Sequence, residues 1–159
     1  MGNSEPSSRR DSFLPERENI LISVEQKYVA RILSGVKRVE LRRRSLRVQP
    51  GTCVWIYSKS PYAAVAAVAT VGGIVCGEPA DLWCKCGDLA GVTKGEFDAY
   101  FAGASVGCAM FLEQICALPQ AVTLAALRAQ PTRFHPPQFF MRLRRGSGAL
   151  DLLTSSLNA

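Results

Sequence analysis

Between Ser34 and Arg47 the chain reads Ser-Gly-Val-Lys-Arg-Val-Glu-Leu-Arg-Arg-Arg-Ser-Leu-Arg, six basic side chains and one carboxylate on a backbone that changes its period partway. Upstream, Tyr28, Val29, Ile32 and Leu33 share one helical face, and Lys27 and Arg31 lie together on another at i, i+4. Downstream, Val39 and Leu41 alternate with Arg38, Glu40 and Arg42, the pattern of a half-buried strand with a charged face. Gly35 stands where a helix would stop. A helix must therefore hand the chain to a charged strand within a few residues. Strict alternation sets Glu40 and Arg42 on one face and Lys37 on the other, so Lys37 joins them only if the backbone beside Gly35 is still turning.

The remaining elements follow the same logic. Asn19–Val24 reads as a buried strand, followed by a helix from Val24 to Leu33 capped by Ser23, with Gln26 at the third position after it. Thr52–Tyr57 is the next strand, then Ala63–Val71, continued by Ile74–Cys76 after a bulge at Gly72-Gly73. Helices are expected at Pro79–Trp83 and Thr93–Phe101, the second capped by Thr93 with Glu96 in the third position. A long strand, Val106–Leu118, should break at Pro119, ahead of a helix at Thr123–Ala129 and a last strand at Gln138–Leu143. Strands dominate and helices intervene singly, which together predict an α+β fold built on a small mixed β-barrel.

A chain of 159 residues suits one domain, expected at 18–145, between a disordered leader (1–17) and a flexible tail (146–159). No apolar run is long enough for a spanning helix and the start lacks the apolar core of a secretory signal, so the expectation is a cytoplasmic protein without a membrane partner. The six cysteines sit mostly in apolar segments and read as free thiols. Cys84-Lys-Cys86 has no partner pair and His135 is the single histidine, so neither a metal site nor a cofactor is expected. The net charge of +6 favours polyanions, nucleic acid first.

The pattern Gly35-x-Lys37-x-x-Glu40-x-Arg42 is preceded by a helix and followed by Gly51 and a tryptophan-bearing strand. Further on come Ile56-Tyr-Ser-Lys-Ser-Pro61, Asp81-Leu-Trp83, the helix within Gly91–Gly103 and Pro136-Pro137-Gln138. Together these resemble the ASCH domain of the PUA-like superfamily, over about Asn19 to Leu143. The resemblance implies a barrel with a cleft where the motif's polar residues meet the loop after the third strand, and RNA or a modified nucleoside as the expected partner. It also brings enzymes into view. One branch hydrolyses acetylcytidine with a lysine, a threonine and a glutamate; Lys37 matches the lysine, Glu40 replaces the threonine, and Ala90 to Thr93 offers no glutamate. Another branch is a metal-dependent ribonuclease, for which Lys37, Glu40, Tyr57, Lys59 and Ser60 are the candidate groups.

Side-chain chemistry fits a phosphate track. A guanidinium forks onto phosphate oxygens and stays charged, while a buried lysine shifts its pKa readily. Lys37, Arg42, Arg43, Arg44 and Arg47 would line that track, with Tyr57 and Trp83 as stacking faces and Ser58, Lys59 and Ser60 at its end. Each has a plainer alternative: Tyr57 and Trp83 as packing residues, the arginine run as a solvated loop. Glu40 either accepts from a base edge or orients Lys37, or it is a structural ion-pair partner of Arg38 or Arg42. The leading expectation is an RNA- or nucleoside-binding module with a regulatory role. The alternative is a hydrolase on the same ligands, and a third is a protein-binding adaptor using the apolar tail or the Thr93–Phe101 helix.

Overall fold

The structure, a computed structural model, describes residues 17–131 and 133–159; all but the last residue of the expected leader lie outside them. In chain order its elements are β1 (Asn19–Val24), α1 (Gln26–Leu33), β2 (Val39–Arg42), β3 (Cys53–Ser58), β4 (Ala64–Gly77), α2 (Pro79–Cys86), α3 (Lys94–Tyr100), β5 (Gly107–Thr123), α4 (Leu124–Arg128), β6 (Phe140–Arg142) and α5 (Gly148–Leu157). The six strands form one sheet in the order β2-β5-β4-β3-β1-β6. β1 and β3 are parallel and the other pairs antiparallel.

The long β4–β5 ladder shifts register at Val65/Ala67, Val68/Thr70 and Val71/Gly73. Extra residues on one strand bend it and increase its twist. The sheet accordingly curls, and its two end strands meet across a seam. Arg42 of β2 donates to the Phe139 carbonyl at 3.4 Å, and Arg142 of β6 donates to the Arg47 carbonyl at 2.7 Å.

Burial follows the pleat. Ile20, Ile22, Val54, Ile56, Met110 and Leu112 pack inside the curl with Val29 and Ile32 of α1. Leu21, Trp55, Tyr57, Val65 and Val68 pack on the opposite face under α4 and α5. Val39 and Leu41 pack against Leu82, Phe97 and Phe101 of the α2–α3 region.

Several expectations give way to packing. Ser23 does not cap α1: its hydroxyl donates to the Pro137 carbonyl at 2.6 Å, and Glu25 occupies the cap position without a side-chain bond. Pro119 does not end its strand. Between the pairs Ala67–Ala117 and Val65–Val122, β5 carries Leu118 to Ala121 opposite Ala66 alone, so proline sits in a bulge where a missing N–H breaks no rung. The expected tail contains α5, capped by Ser147 and burying Leu150, Leu153 and Leu157, whose helical spacing prevails over the flanking glycines. The expectation of free thiols fails at one pair: Cys76 and Cys108 face each other in the β4–β5 register, Cα atoms 4.1 Å apart, and are disulfide-bonded. Among the described residues no helix is long and apolar enough to cross a membrane.

Candidate functional site

The site begins with a turn. Gly35 adopts φ +84°, and the Lys37 N–H still donates to the Arg31 carbonyl at 3.0 Å, so Lys37 belongs to the exit of α1 and not to β2. The backbone is still turning where alternation would have pointed Lys37 away. Its ammonium reaches the side of the sheet that carries Glu40 and Arg42, donating to the Ala90 carbonyl at 2.7 Å and standing 3.8 Å from Glu40 Oε2. Gly91, at φ +61°, lets the next loop close down on Lys37. Glu40 Oε1 lies 3.3 Å from Arg42 Nη2, which also donates to the Ser23 carbonyl at 3.1 Å.

Lys37, Glu40 and Arg42 are all less than a tenth exposed. They form the floor of a cleft of about 160 Å³ whose walls include Tyr28, Lys59, Glu96 and Tyr100. Two polar atoms of this floor, Glu40 Oε2 and Arg42 Nε, have no hydrogen-bond partner among the described residues. A buried acceptor and a buried donor left open are costly unless something fills them. Burial lowers the Lys37 pKa from the ordinary lysine value, against the opposing pull of Glu40.

One wall was not foreseen. Tyr28 donates to Glu96 Oε2 at 3.0 Å and Arg31 reaches the same oxygen at 3.1 Å, while Arg31 also donates to the Gly91 carbonyl at 2.8 Å. The hydrogen bond from Arg31 holds the Glu96 carboxyl below the usual range. Burial, then Glu96, raises the Tyr28 hydroxyl. In sequence Tyr28 counted as an apolar helix residue and Glu96 as part of a cap. The Thr93 hydroxyl does accept from the Glu96 N–H, but the carboxylate turns into the cleft. The signal available in sequence is that Tyr28 and Arg31 stand at i, i+3, close enough to reach one partner although the helical pattern assigns them to different faces.

The other expected residues divide. Lys59 lines the cleft. Ser58 is buried at the end of β3 with an unpartnered hydroxyl, and Ser60 is exposed in the following turn. Tyr57 is not in the cleft: it packs with Trp55 on the opposite face, as alternation along β3 requires. Trp83 packs on Phe97, ring centroids 5.0 Å apart, and borders a separate hollow with Arg31 and Thr93. Arg43 is exposed and donates to the Tyr100 and Ala102 carbonyls; Arg44 and Arg47 are exposed in the loop after β2. Among the described residues no group of three or more histidine, cysteine, aspartate or glutamate side chains gathers as a metal site.

No family model matches the chain. It is 30% identical over 132 residues, 83% of its own length and 88% of the relative's, to a curated protein of Zymomonas mobilis described as an ASCH domain-containing ribonuclease. The crystal structure of ASCH from Zymomonas mobilis superposes with a TM-score of 0.81 at 28% identity, covering 88% of this chain and 96% of that one. A serine-to-alanine variant of that protein gives 0.80 at 29% identity, covering 89% and 98%.

Proposed function

The chain belongs to the ASCH domain family, and on that premise we propose that it is a ribonuclease that takes one unpaired nucleotide of an RNA strand into the Lys37–Glu40–Arg42 cleft. The observation that carries the reading is the open pair on the cleft floor, Glu40 Oε2 and Arg42 Nε, an acceptor and a donor both buried and both without a hydrogen-bond partner among the described residues. A nucleotide supplies the complement: a hydroxyl or amino group for the carboxylate and a phosphate oxygen for the guanidinium.

In this reading Glu40 accepts the proton of the ribose 2′-hydroxyl as that oxygen attacks the adjacent phosphorus. The bond from phosphorus to the 5′-oxygen breaks, and Lys37, whose lowered pKa makes its ammonium a better acid, protonates the leaving oxygen. Arg42, and Lys59 at the rim, would balance charge on the non-bridging oxygens. The products are a 2′,3′-cyclic phosphate and a free 5′-hydroxyl.

The test is incubation of the protein with a single-stranded RNA and its DNA equivalent, with and without divalent metal. RNA should be cut and DNA left whole, with Glu40→Gln and Lys37→Met each losing about 10²-fold or more in rate. Intact RNA that still binds in a salt-dependent way would reduce the site to a regulatory binding module; intact RNA without binding would overturn the assignment. A second reading has one observation of its own. Glu96 brings into the cleft the second carboxylate that the sequence did not offer, which suits hydrolysis of an acylated nucleoside, and acetate release from acetylcytidine would test it.

A further inference from the structure

Away from the cleft, the residues before β1 and after β6 gather around a second hollow of about 290 Å³, lined by Arg17, Arg142, Arg144 and Arg145 with Glu18 as the one carboxylate among the described residues. Glu18 is taken by Arg142 at 2.8 Å. Among the described residues Arg17, Arg144 and Arg145 have no carboxylate within ion-pair distance, and all three are exposed. Like charges around one hollow repel, so a site of this kind is stabilised by an anion with several charges.

The hollow is joined to the cleft by one strand. β6 runs antiparallel to β1, with Phe140 opposite Ile22 and Arg142 opposite Ile20. At its start, the Phe139 and Pro137 carbonyls receive Arg42 and Ser23, which belong to the cleft. Four residues from Phe140 to Arg144 cover about 13 Å of extended chain. Along that path Phe139 and Phe140 are half-buried and packed edge to face, with Arg42 5.8 Å from the Phe139 centroid and Arg142 5.4 Å from that of Phe140. β6 ends the strand order, and among the described residues side chains alone cross the seam from it to the β2 end, Arg42 to the Phe139 carbonyl and Arg142 to the Arg47 carbonyl.

Guanidinium groups beside half-buried aromatic rings at the end of the sheet are what a single strand of nucleic acid needs, cations for its phosphates and the exposed part of each ring for its bases. We propose that the β6 edge, from Phe139 to the arginine hollow of Arg17, Arg144 and Arg145, is a second binding surface that holds the nucleotides flanking the one in the cleft. This assignment rests on the cleft reading above and adds the direction in which the strand leaves it.

The experiment measures binding of an uncleavable 2′-O-methyl RNA of about ten nucleotides and of the matching mononucleotide, to the full chain and to Arg144→Ala/Arg145→Ala. The decamer should bind more tightly than the mononucleotide. The double variant should lose about tenfold or more in decamer affinity and flatten its salt dependence by about 0.7 per phosphate contact removed, with mononucleotide binding unchanged. Phe140→Leu, which keeps the apolar contact and removes the ring, should weaken the decamer alone. Mononucleotide binding without any length dependence, or a double variant that binds the decamer like the parent, would overturn the β6 surface and leave the cleft standing. A polyphosphate chain bound as tightly as the decamer would also overturn it, because the rings would then contribute nothing. If neither nucleotide nor decamer binds, the cleft reading itself fails and takes this one with it.

Discussion

Gly91 rests on Lys37 so closely that a Cβ built at the glycine would stand 2.5 Å from the lysine Cβ and 2.9 Å from its Cα. The neighbouring carbonyl, that of Ala90, takes the Lys37 ammonium at 2.7 Å. One loop therefore fixes the lysine at both ends, against its backbone and at its charge.

Gly91→Ala should accordingly displace Lys37. The left-handed conformation at φ +61° alone disfavours alanine by about 1–2 kcal/mol, and the overlap adds to it. Gly35 offers the control: its φ is +84° but nothing lies within 4 Å of a Cβ there. Urea denaturation should show both variants destabilised and Gly91→Ala the more so. RNA cleavage should fall much further in Gly91→Ala than in Gly35→Ala.

The lowered pKa of Lys37 sets a pH dependence. Burial favours the neutral amine, and Glu40 partly restores the ammonium. As pH rises through that lowered pKa the ammonium is lost, and cleavage should decline at a pH below the ordinary lysine value of about 10.4. Glu40→Gln removes the restoring charge and leaves the desolvation, so nucleotide binding by that variant should lose its lysine-dependent part at still lower pH. Titrating nucleotide affinity against pH for both proteins checks the order of the two midpoints; coincident midpoints would detach Lys37 from Glu40.

How far this site could be read in advance depends on which residues obey a local period. The strand at Val39–Arg42 and the stop at Gly35 are written in alternation and in one glycine, and β4 with its bulge at Gly72-Gly73 is equally local. The resemblance to the ASCH domain, the family to which the chain belongs, came from the same motif together with the segments downstream of it. Lys37 was legible as a problem of direction, because alternation said it should point away and the turn beside Gly35 decides otherwise. Glu96 was not legible. Its role depends on α3 meeting α1 across 65 residues of sequence separation from Arg31. Tyr57 was misplaced for a plain reason: a residue at a strand end was given a cleft, while the pleat sends it to the far face with Trp55.

The cysteines offer a chemical check on the sheet register. Cys76 and Cys108 are opposed in the β4–β5 ladder and paired, and Arg42 is the register partner of Cys108 on β2. Alkylation of the native protein without reductant should label exposed Cys84 first. Cys53, with its thiol pushed up to about 11 by burial, and buried Cys86, also raised, should react slowly. Peptide mapping should find Cys76 and Cys108 modified only after reduction. Early labelling of either would deny the pair.

The Glu96 wall makes the last prediction, one of stability against acid. The Glu96 pKa is depressed first by the Arg31 hydrogen bond and further by Tyr28. A carboxyl whose folded pKa lies below its unfolded value contributes stability that is present above the unfolded pKa and is lost as pH falls through the folded one. Glu96→Gln should therefore lower Tm at pH 7, and the difference from the parent should close as the pH drops below the ordinary carboxylate range. Arg31→Met should reproduce most of that acid-sensitive loss, since Arg31 is the larger cause, and Tyr28→Phe a smaller part. Because both side chains meet the same oxygen, Oε2, the losses should not add in the Tyr28→Phe/Arg31→Met double variant. A Tm difference for Glu96→Gln that persists unchanged into acid would mean that the carboxylate's charge plays no part, and that α1 and α3 are held together by packing alone.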